Sequence, residues 1–303
     1  MKKSTKISLL VSLALVIIGA VLIFVSLMVV GFDMRKFSNI SFEKKVFDIT
    51  DSFDGVHVSE ITDDIEIYLS DDKNCKIICY DSEKIYHECN VNDDGQLMIF
   101  CRDDRPWYEK IGFFYKEIEK IQIYLPNELY EEIYAYSTNG NITIPKGFTF
   151  DEAHLSVVNG KIHCSADVLQ NLTAETTNGD IALDGELNGK IHALTTNGKI
   201  VAKNIKNAGS ADFTTTNGDI EPDGEIIKYF QAHSVNGSIK FRVSVSDRMH
   251  MNTVNGSITG TVPANKSYTA QSTNGSVNVP DSVNDNGDFY FKTVNGNIDI
   301  KNK

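Results

Sequence analysis

The sequence predicts an all-β protein whose main part is a β-solenoid, a chain wound into stacked coils, behind one N-terminal transmembrane helix. A six-residue motif of the type TTNGDI occurs nine times after residue 136, and its Asn recurs in steps of 19–21 residues. A fixed period of this length with β-type patterning indicates stacked supersecondary units. An uncharged stretch of 24 residues near the N-terminus predicts the helix.

The N-terminal segment, residues 1–36, is predicted to be a short cytoplasmic tail followed by a transmembrane signal anchor. No charge interrupts residues 7–30, and about 20 apolar residues suffice to cross a bilayer. A cleaved signal peptide has an apolar core of about 7–15 residues and a small-residue cleavage site, so an anchor is favoured over cleavage. Three lysines precede the stretch, and one Arg and one Lys follow it, which places the N-terminus in the cytoplasm.

The chain beyond the anchor is strongly acidic. The sequence has 29 Lys and Arg against 41 Asp and Glu, and residues 1–36 hold five of the former and one of the latter. The remaining 24 basic and 40 acidic residues give a formal net charge of −16. This charge excludes nucleic acid and anionic lipid as partners held by bulk attraction.

Residues 37–132 are predicted to form a β-rich capping module. Short runs rich in β-branched and aromatic residues, such as GVHVSEI and CKIICY, alternate with polar breaks such as SDDKN. The segment PWYEKIGFFYKE, residues 106–117, has no clean period and is predicted to be a loop or short helix that carries aromatic side chains onto the core of the module. For Trp107 a core or lid position is favoured over a sugar-stacking platform.

The five cysteines are predicted to be mainly buried thiols. An odd number leaves at least one of them outside any intramolecular disulfide. Cys75 and Cys79 lie about 13 Å apart along one predicted strand, too far for a mutual bridge, and their spacing fits no zinc knuckle. A bridge from Cys79 to Cys89, or from Cys75 to Cys101, stays an alternative.

Each repeat unit, numbered from its Asn as zero, alternates apolar and polar residues on both sides of the Asn-Gly pair. Positions −6, −4 and +3 are apolar, +5 is mostly so, and −2 is Ser or Thr in eight units, with Val157 the exception. This period of two predicts strands whose positions −6, −4, −2, +3 and +5 point inward. Positions +6 to +12 vary in sequence and are predicted to form an outer loop.

The Asn-Gly pairs are predicted to be the structural corners of the coils. Gly supplies a positive φ that other residues oppose, and Asn is among the few that tolerate the left-handed region. In stacked coils each Asn side chain can also bond to its neighbour in the next coil. The predicted corner residues are Asn139, Gly140, Asn159, Gly160, Asn178, Gly179, Asn197, Gly198, Asn217, Gly218, Asn236, Gly237, Asn255, Gly256, Asn274, Gly275, Asn295 and Gly296.

Two architectures fit these corners, and the solenoid is favoured. Asn-Gly is also the strongest two-residue hairpin signal, so an array of hairpins stays the alternative. The nearly constant period and the repeated hydroxyl at −2 favour stacked coils. At about 4.8 Å per coil, nine coils in residues 133–303 form a rod roughly 40 Å long. The capping module closes one end, and the charged tail IDIKNK is predicted to blunt the other.

No residue set predicts catalysis, and neither a metal nor a cofactor is predicted. Six side chains of alternating charge are candidates for a polysaccharide-degrading site, but such alternation is more typical of a solvated face: Asp180, Asp184, Lys199, Lys203, Asp219 and Asp223. Four histidines occupy unlike repeat positions and predict no ligand file: His163, His192, His233 and His250. The sequence contains no HExxH or GxSxG motif.

With its anchor and its repeat, the sequence resembles the DUF4097 family of bacterial β-strand-repeat proteins, known as putative adhesins. The resemblance rests on the stretch IQIYLPNELYEEI, residues 121–133, which leads into STNGNI and the TTNGDI-type units, and it covers about residues 45–300. It implies a non-enzymatic role at the cell surface, because the family has no catalytic motif to transfer. It also implies a setting beside envelope-stress systems, where membrane-anchored members occur.

These features predict a non-catalytic, single-pass protein of the bacterial cell membrane with its N-terminus in the cytoplasm and its bulk outside. The predicted partners are cell-envelope polymers or membrane proteins, and the membrane itself through residues 7–30. The predicted role is envelope interaction or envelope-stress sensing. Two alternatives stay open: an adhesin that binds a ligand on a host or neighbouring cell, and a β-helix enzyme that acts on polysaccharide.

Overall fold

The computed structural model describes most of the chain and divides it into two compact units. The described residues are 3–29, 31–32, 41–71, 73–110, 120–245, 247–263, 266–281 and 289–302. One unit comprises Met1–Phe42 and Asp104–Ile118, and the other comprises Glu43–Asp103 and Glu119–Lys303.

The first unit contains the apolar helix α1, Lys3–Val29, and the single turn α2, Trp107–Lys110. Among the described residues one helix, Thr5–Val29 within α1, is long and apolar enough to cross a membrane. At 1.5 Å per residue α1 is about 40 Å long. Trp107 is 72% exposed, so a core position for it is wrong. The predicted aromatic segment continues into residues 111–117, which lie outside the described residues.

The second unit consists of 23 strands among the described residues. They are β1 Glu43–Ile49, β2 Gly55–Glu60, β3 Asp64–Leu69, β4 Cys75–Asp81, β5 Ile85–Val91, β6 Gln96–Asp103, β7 Lys120–Leu125, β8 Leu129–Ser137, β9 Ile142–Ile144, β10 Thr149–Asn159, β11 Ile162–Cys164, β12 Asp167–Asn178, β13 Ile181–Leu183, β14 Leu187–Thr195, β15 Ile200–Thr215, β16 Ile220–Ser234, β17 Ile239–Val245, β18 Arg248–Thr253, β19 Ile258–Val262, β20 Tyr268–Ser272, β21 Val277–Asn278, β22 Phe289–Thr293 and β23 Ile298–Asn302.

Parallel pairing between successive coils arranges these strands in two layers. The first layer has the order β5-β6-β2-β8-β10-β12-β14-β15-β16-β18-β22-β20. The second has the order β1-β4-β7-β3-β9-β11-β13-β15-β16-β17-β19-β23-β21. The predicted solenoid is therefore confirmed, because hairpins would pair the two strands of one unit antiparallel.

The core consists of the residues that the period-two pattern predicts to point inward. Positions −6 and −4, such as Ile133 and Ala135, and positions +3 and +5, such as Ile142 and Ile144, are fully buried. The predicted outer loop also contributes to the core. Its position +9 is apolar and buried in four units, where it packs as a third side of the coil: Phe148, Val168, Leu187 and Ile226. The period of two does not extend across the corner that precedes this side, which is why the pattern misses it.

A coil without the Asn-Gly motif precedes the first repeat. β2 pairs in parallel with β8, so that Val56 is opposite Ile133 and Glu60 is opposite Ser137. The coil register thus continues upstream of residue 133, into the predicted capping module. Beyond this coil, antiparallel strands end both layers: β5 on β6 in the first, and β1 on β4 in the second.

The last two coils stack in the reverse of their sequence order. β18 pairs with β22, and β22 pairs with β20, so the unit of Asn295 lies between the units of Asn255 and Asn274. The second layer repeats this order, with β23 between β19 and β21. The tail IDIKNK contains β23, so the prediction that it blunts the edge is wrong. Among the described strands, β20 and β21 form that edge.

Candidate functional site

The nine corner asparagines form one hydrogen-bonded file along the solenoid. Each Nδ2 donates to the Oδ1 of the preceding stacked Asn at 2.7–2.9 Å. The stacked order is Asn139, Asn159, Asn178, Asn197, Asn217, Asn236, Asn255, Asn295 and Asn274. The file lies at the surface rather than among buried amides, so water competes for each bond and a single bond contributes about 1 kcal/mol or less.

The corner glycines are required by close stacking and not by their dihedral angles. All nine lie among the described residues, and none has a positive φ, so the expectation of a left-handed conformation is wrong. A Cβ built on Gly198 would lie 1.8 Å from the carbonyl oxygen of Gly179, and one on Gly218 would lie 1.9 Å from that of Gly198. The backbone of one coil therefore occupies the space that a side chain of the next would need.

The hydroxyls at position −2 also connect successive coils. Seven of the eight donate to the carbonyl oxygen of the corner Gly in the preceding stacked coil: Thr176 to Gly160, Thr195 to Gly179, Thr215 to Gly198, Ser234 to Gly218, Thr253 to Gly237, Thr293 to Gly256 and Ser272 to Gly296. These bonds are 2.7–3.0 Å long, and six of the seven donor residues, all but Ser272, are buried. The repeated Ser and Thr thus form a ladder of hydroxyl–carbonyl bonds rather than hydroxyl–hydroxyl bonds.

The unit of Asn159 has Val157 at position −2 and is the one repeat unit without a hydroxyl there. The contribution of this hydroxyl to stability can therefore be tested in both directions, by adding one at Val157 and by removing one from another unit. Val157 lies opposite Thr176 in the parallel register, so a Thr there reaches the Gly140 carbonyl as Thr176 reaches Gly160. We expect Val157→Thr to raise the free energy of unfolding by about 0.5–1.5 kcal/mol, the usual contribution of one hydrogen bond. Thr215→Val should lower it by a similar amount. Urea denaturation of both variants measures this, and a loss for Val157→Thr would contradict it.

The predicted carboxylates at position +2 are used in contacts between coils. Asp180 Oδ1 accepts the N–H of Lys199 at 3.0 Å, and Asp219 Oδ1 accepts the N–H of Ser238 at 2.7 Å. The hydrogen bond from the Lys199 backbone, with Lys161 nearby, holds the pKa of Asp180 below its usual value. A carboxylate held ionised in this way is a poor general acid.

The carboxylates at position +6 also have partners in other coils. Asp184 accepts a hydrogen bond from the Ser165 hydroxyl, and Asp223 pairs with Arg242 at 3.0 Å. Position +2 and position +6 therefore provide inter-coil contacts, which agrees with the solvated-face interpretation of the alternating charges. Lys203, the last of the six predicted side chains, is an exposed residue of β15.

The expectation that the histidines occupy unlike repeat positions is wrong for His192 and His250. His154, His192 and His250 all occupy position −5, whereas His163 is at +4 and His233 at −3. The parallel register joins position −5 into one outward file on the first layer, which sequence analysis missed. From the N-terminal end it runs His57, Tyr134, His154, Thr173, His192, Asp212, Gln231, His250, Tyr290 and Thr269. Aligning the repeats by position would have shown its Tyr and His content.

The N-terminal end of this file forms an aromatic group around a shallow pocket. The His57 ring stacks on Tyr134 with centroids 5.7 Å apart, and Tyr134 lies 6.4 Å from His154. A pocket of about 280 Å³ is lined by His57, Val58, Ser59, Phe100, Tyr134 and Tyr136. The Arg102 guanidinium lies over the Phe100 ring at 5.7 Å. Tyr134 is 43% exposed, so its ring is available to a ligand.

A second aromatic group lies at the C-terminal end of the same file. The His250 ring contacts Tyr229 and Tyr290 edge-on, with centroids 5.8 and 6.0 Å apart. Arg248 lies over the Tyr229 ring at 5.9 Å. Five strand spacings separate His250 from His154, or about 24 Å. We call this outward surface, from His57 to Tyr290, the aromatic face.

The five cysteines are thiols in the structure, as predicted. Burial raises the pKa of Cys75 to about 12 and that of Cys164 to about 12, and it also raises the pKa of Cys79 and Cys89. A raised pKa keeps the thiol protonated, so these side chains are poor nucleophiles near neutral pH.

A family model described as Toastrack DUF4097 matches residues 56–302, from β2 to β23. The chain belongs to the Toastrack DUF4097 family. The predicted resemblance of the chain to the DUF4097 family is thereby confirmed. The matched range includes the coil of β2 and β3, which has no Asn-Gly motif, as well as the nine Asn-Gly repeats. No curated protein gives a significant match to the chain.

Solved structures similar to this Toastrack protein include two described as putative adhesins. One is from Bacteroides fragilis NCTC 9343, with 12% identity, 87% of this chain and 98% of that chain covered, and a TM-score of 0.40. Another is from Parabacteroides merdae ATCC 43184, with 13% identity, coverages of 88% and 98%, and a TM-score of 0.38. A putative lipid binding protein from Parabacteroides distasonis ATCC 8503 has 14% identity, coverages of 86% and 97%, and a TM-score of 0.35. At TM-scores this low, the likenesses support no inference about ligands.

Proposed function

We propose that this Toastrack protein is a non-catalytic, membrane-anchored protein of the bacterial cell surface. Its solenoid is a rigid support that presents the aromatic face to polymers of the cell's own envelope, in envelope interaction or envelope-stress sensing. Helix α1 serves as the anchor, with the short tail before it in the cytoplasm and the acidic solenoid outside. The family membership and the length of α1 support this proposal.

The aromatic face is the observation that carries the proposal. The rings of Tyr134 and Tyr290 lie on the same parallel layer, each in contact with a histidine ring, and at each end of the face an arginine lies over a neighbouring aromatic ring. Rings and polar groups of this kind can stack on the apolar faces of sugars and hydrogen-bond to their hydroxyls. Two such groups about 24 Å apart suit an extended polymer that binds both at once, and linked contacts of this kind strengthen binding beyond either one alone.

The predicted length of the solenoid favours the cell's own envelope over a distant partner. Nine repeat coils at about 4.8 Å span only roughly 40 Å along the stack, a length that barely clears a thick wall. The net charge of −16 beyond residue 36 suits a neutral polymer or a basic partner better than an anionic one.

Binding to purified envelope polymer tests the aromatic face. We expect the full-length protein in detergent to co-sediment with the peptidoglycan of its own cell, and Tyr134→Ala with Tyr290→Ala to weaken binding at least tenfold, since exposed aromatic anchors dominate binding energies. Tyr124→Ala is the matched control, because Tyr124 stacks on Tyr68 in the other layer at 5.1 Å. Equal binding by the double variant and the control would contradict the role of the face.

Proximity labelling in living cells tests the envelope role itself. With a labelling enzyme fused after Lys303, we expect enrichment of membrane sensors or wall-synthesis proteins over a control that carries only the anchor. No enrichment, together with binding to host cells, would instead support the adhesin alternative. Release of reducing ends from a glycan panel by the purified protein would contradict the non-catalytic proposal.

A further inference from the structure

A cluster of metal-ligand side chains lies buried at the N-terminal end of the second unit. We call it the cap cluster: Glu60, Cys79, Asp81, His87 and Cys101. Strand β4 contributes Cys79 and Asp81, while β2, β5 and β6 each contribute one of the others. Glu60 occupies position −2, where every following coil but one has a small hydroxyl. Departures from a local rule of this kind are expected where a site has a function of its own.

The His87 imidazole is the centre of the cap cluster. Its Nδ1 lies 2.6 Å from Asp81 Oδ1, and its Nε2 lies 3.0 Å from Glu60 Oε1. The Cys79 thiol donates to Asp81 Oδ1 at 3.7 Å. Donor atoms of Cys79, Asp81 and His87 lie within 4.8 Å of one another, and so do those of Glu60, His87 and Cys101. Each ring nitrogen thus faces one carboxylate, and each of the two groups also includes a thiol.

The three side chains are near enough to one another to share a zinc ion. Tetrahedral Zn²⁺ has bonds of about 2.0–2.3 Å, so its ligand atoms are about 3.3–3.8 Å apart. The distance from Cys79 Sγ to Asp81 Oδ1 is 3.7 Å, within this range, and the 2.6 Å hydrogen bond between His87 Nδ1 and Asp81 Oδ1 lengthens to it when an ion replaces the proton. Thiolate, imidazole and carboxylate together are also the ligand types that zinc prefers over calcium or magnesium.

Burial and charge favour a cation here. The side chains of His87 and Glu60 are each 1% exposed, and that of Asp81 is 10% exposed. Even with His87 protonated, the formal charges of the cluster sum to −1. Charges in an apolar interior are costly unless they are paired or coordinate a metal. Asp81, which faces His87 Nδ1, is the most exposed of these three side chains. An ion can therefore enter from solvent on the Nδ1 side of the imidazole ring.

We propose that Cys79, Asp81 and His87 Nδ1 bind a divalent cation of the zinc class. Glu60 is then a positioning residue: it accepts the remaining N–H at Nε2 and fixes the tautomer and orientation of the ring, as carboxylates do beside zinc-bound histidines. Binding releases the Cys79 thiol proton, and the proton on Nδ1, to solvent. The ion joins β4 to β5, next to the coil from which the repeats are stacked.

Cobalt binding to the full-length protein tests this proposal. We expect the reduced protein in detergent to bind one Co²⁺ per chain with thiolate-to-cobalt absorption in the near ultraviolet, and Zn²⁺ to displace it. Cys79→Ser should remove that absorption, and Glu60→Gln should weaken binding roughly 10–100-fold. Cys164→Ala is the matched control, a buried thiol in the repeats that should leave absorption and affinity unchanged. Circular dichroism checks that each variant is folded.

A measurement on the wild-type protein keeps the test independent of the variants. Zn²⁺ should raise the Tm and a chelator should reverse the rise, because an ion bound only by the folded state stabilises it. The absence of thiolate absorption from the folded, reduced protein would overturn the proposal. So would absorption that survives Cys79→Ser but is lost in Cys101→Ser, or a disulfide at Cys79 found by mass spectrometry of protein purified without reductant.

Discussion

Gly198→Ala is expected to lower the free energy of unfolding by at least about 3 kcal/mol, well above the effect of an ordinary substitution. The added Cβ would lie 1.8 Å from the carbonyl oxygen of Gly179 and 2.4 Å from its carbonyl carbon. Both are backbone atoms and cannot rotate away, so the two coils must separate. Separation also weakens the neighbouring bonds from Thr195 to Gly179 and from Asn197 to Asn178. Urea denaturation of the full-length protein in detergent measures the loss.

Gly209→Ala is the matched control, in strand β15, which begins just after the corner of Gly198. A Cβ there meets only the Gly189 carbonyl oxygen at 3.4 Å, an ordinary contact, and Gly209 has no positive φ. We expect a change within about 0.5 kcal/mol. The difference between the variants therefore reports the close approach at the corner, apart from the general effect of replacing Gly. A small change for Gly198→Ala would mean that the coils are not stacked as closely as described.

The alternation of apolar residues predicts most of the solenoid because it records which side chains point inward. Positions such as −6 and +3 are buried in every coil that has neighbours on both sides, so selection for packing leaves a period of two in the sequence. The corner Asn-Gly is predicted as well, but for the wrong reason. A positive φ is a local property, whereas the contact between Gly198 and Gly179 exists only once the coils are stacked.

The parts that the sequence does not predict depend on register between distant strands. The coil of β2 and β3 has no Asn-Gly, and only its pairing with β8 shows that Glu60 takes the place of a hydroxyl. The cap cluster likewise brings together residues between 60 and 101 from four strands, of which β6 pairs with both β2 and β5. The sequence pattern does not reveal the aromatic face for another reason. Outward positions are free of packing constraints, so aromatic residues such as Tyr134 and Tyr290 can occupy them without changing the period of two.

The reversed order of the last two coils is expected to appear directly in disulfide cross-linking. Asn252, Lys292 and Gln271 lie side by side in three successive strands of the first layer. Neighbouring strands are about 4.8 Å apart, within the range of a disulfide, and next-nearest strands are about 10 Å apart, beyond it. Asn252→Cys with Lys292→Cys should therefore cross-link, whereas Asn252→Cys with Gln271→Cys should not. Peptide mapping without reductant detects the bonds.

The pair Lys292→Cys with Gln271→Cys is the control, since these strands are neighbours in either order. A stack in sequence order would reverse the other two results, so that residues 252 and 271 cross-link and residues 252 and 292 do not. The corner motif cannot decide between these orders, because every Asn-Gly corner fits every other.

The side chains that differ between the two coils decide the order instead. Phe289 and Phe291 are fully buried, and Phe291 stacks on Phe241 with centroids 5.9 Å apart. The terminal coil has Tyr268 and Ala270 at the same positions, both only partly buried. A coil at the end of the stack lacks one neighbour, so it leaves more surface in water. Placing the two phenylalanines inside and the smaller, more polar coil at the end buries the greater apolar area, and burial of apolar area is the dominant favourable term in folding.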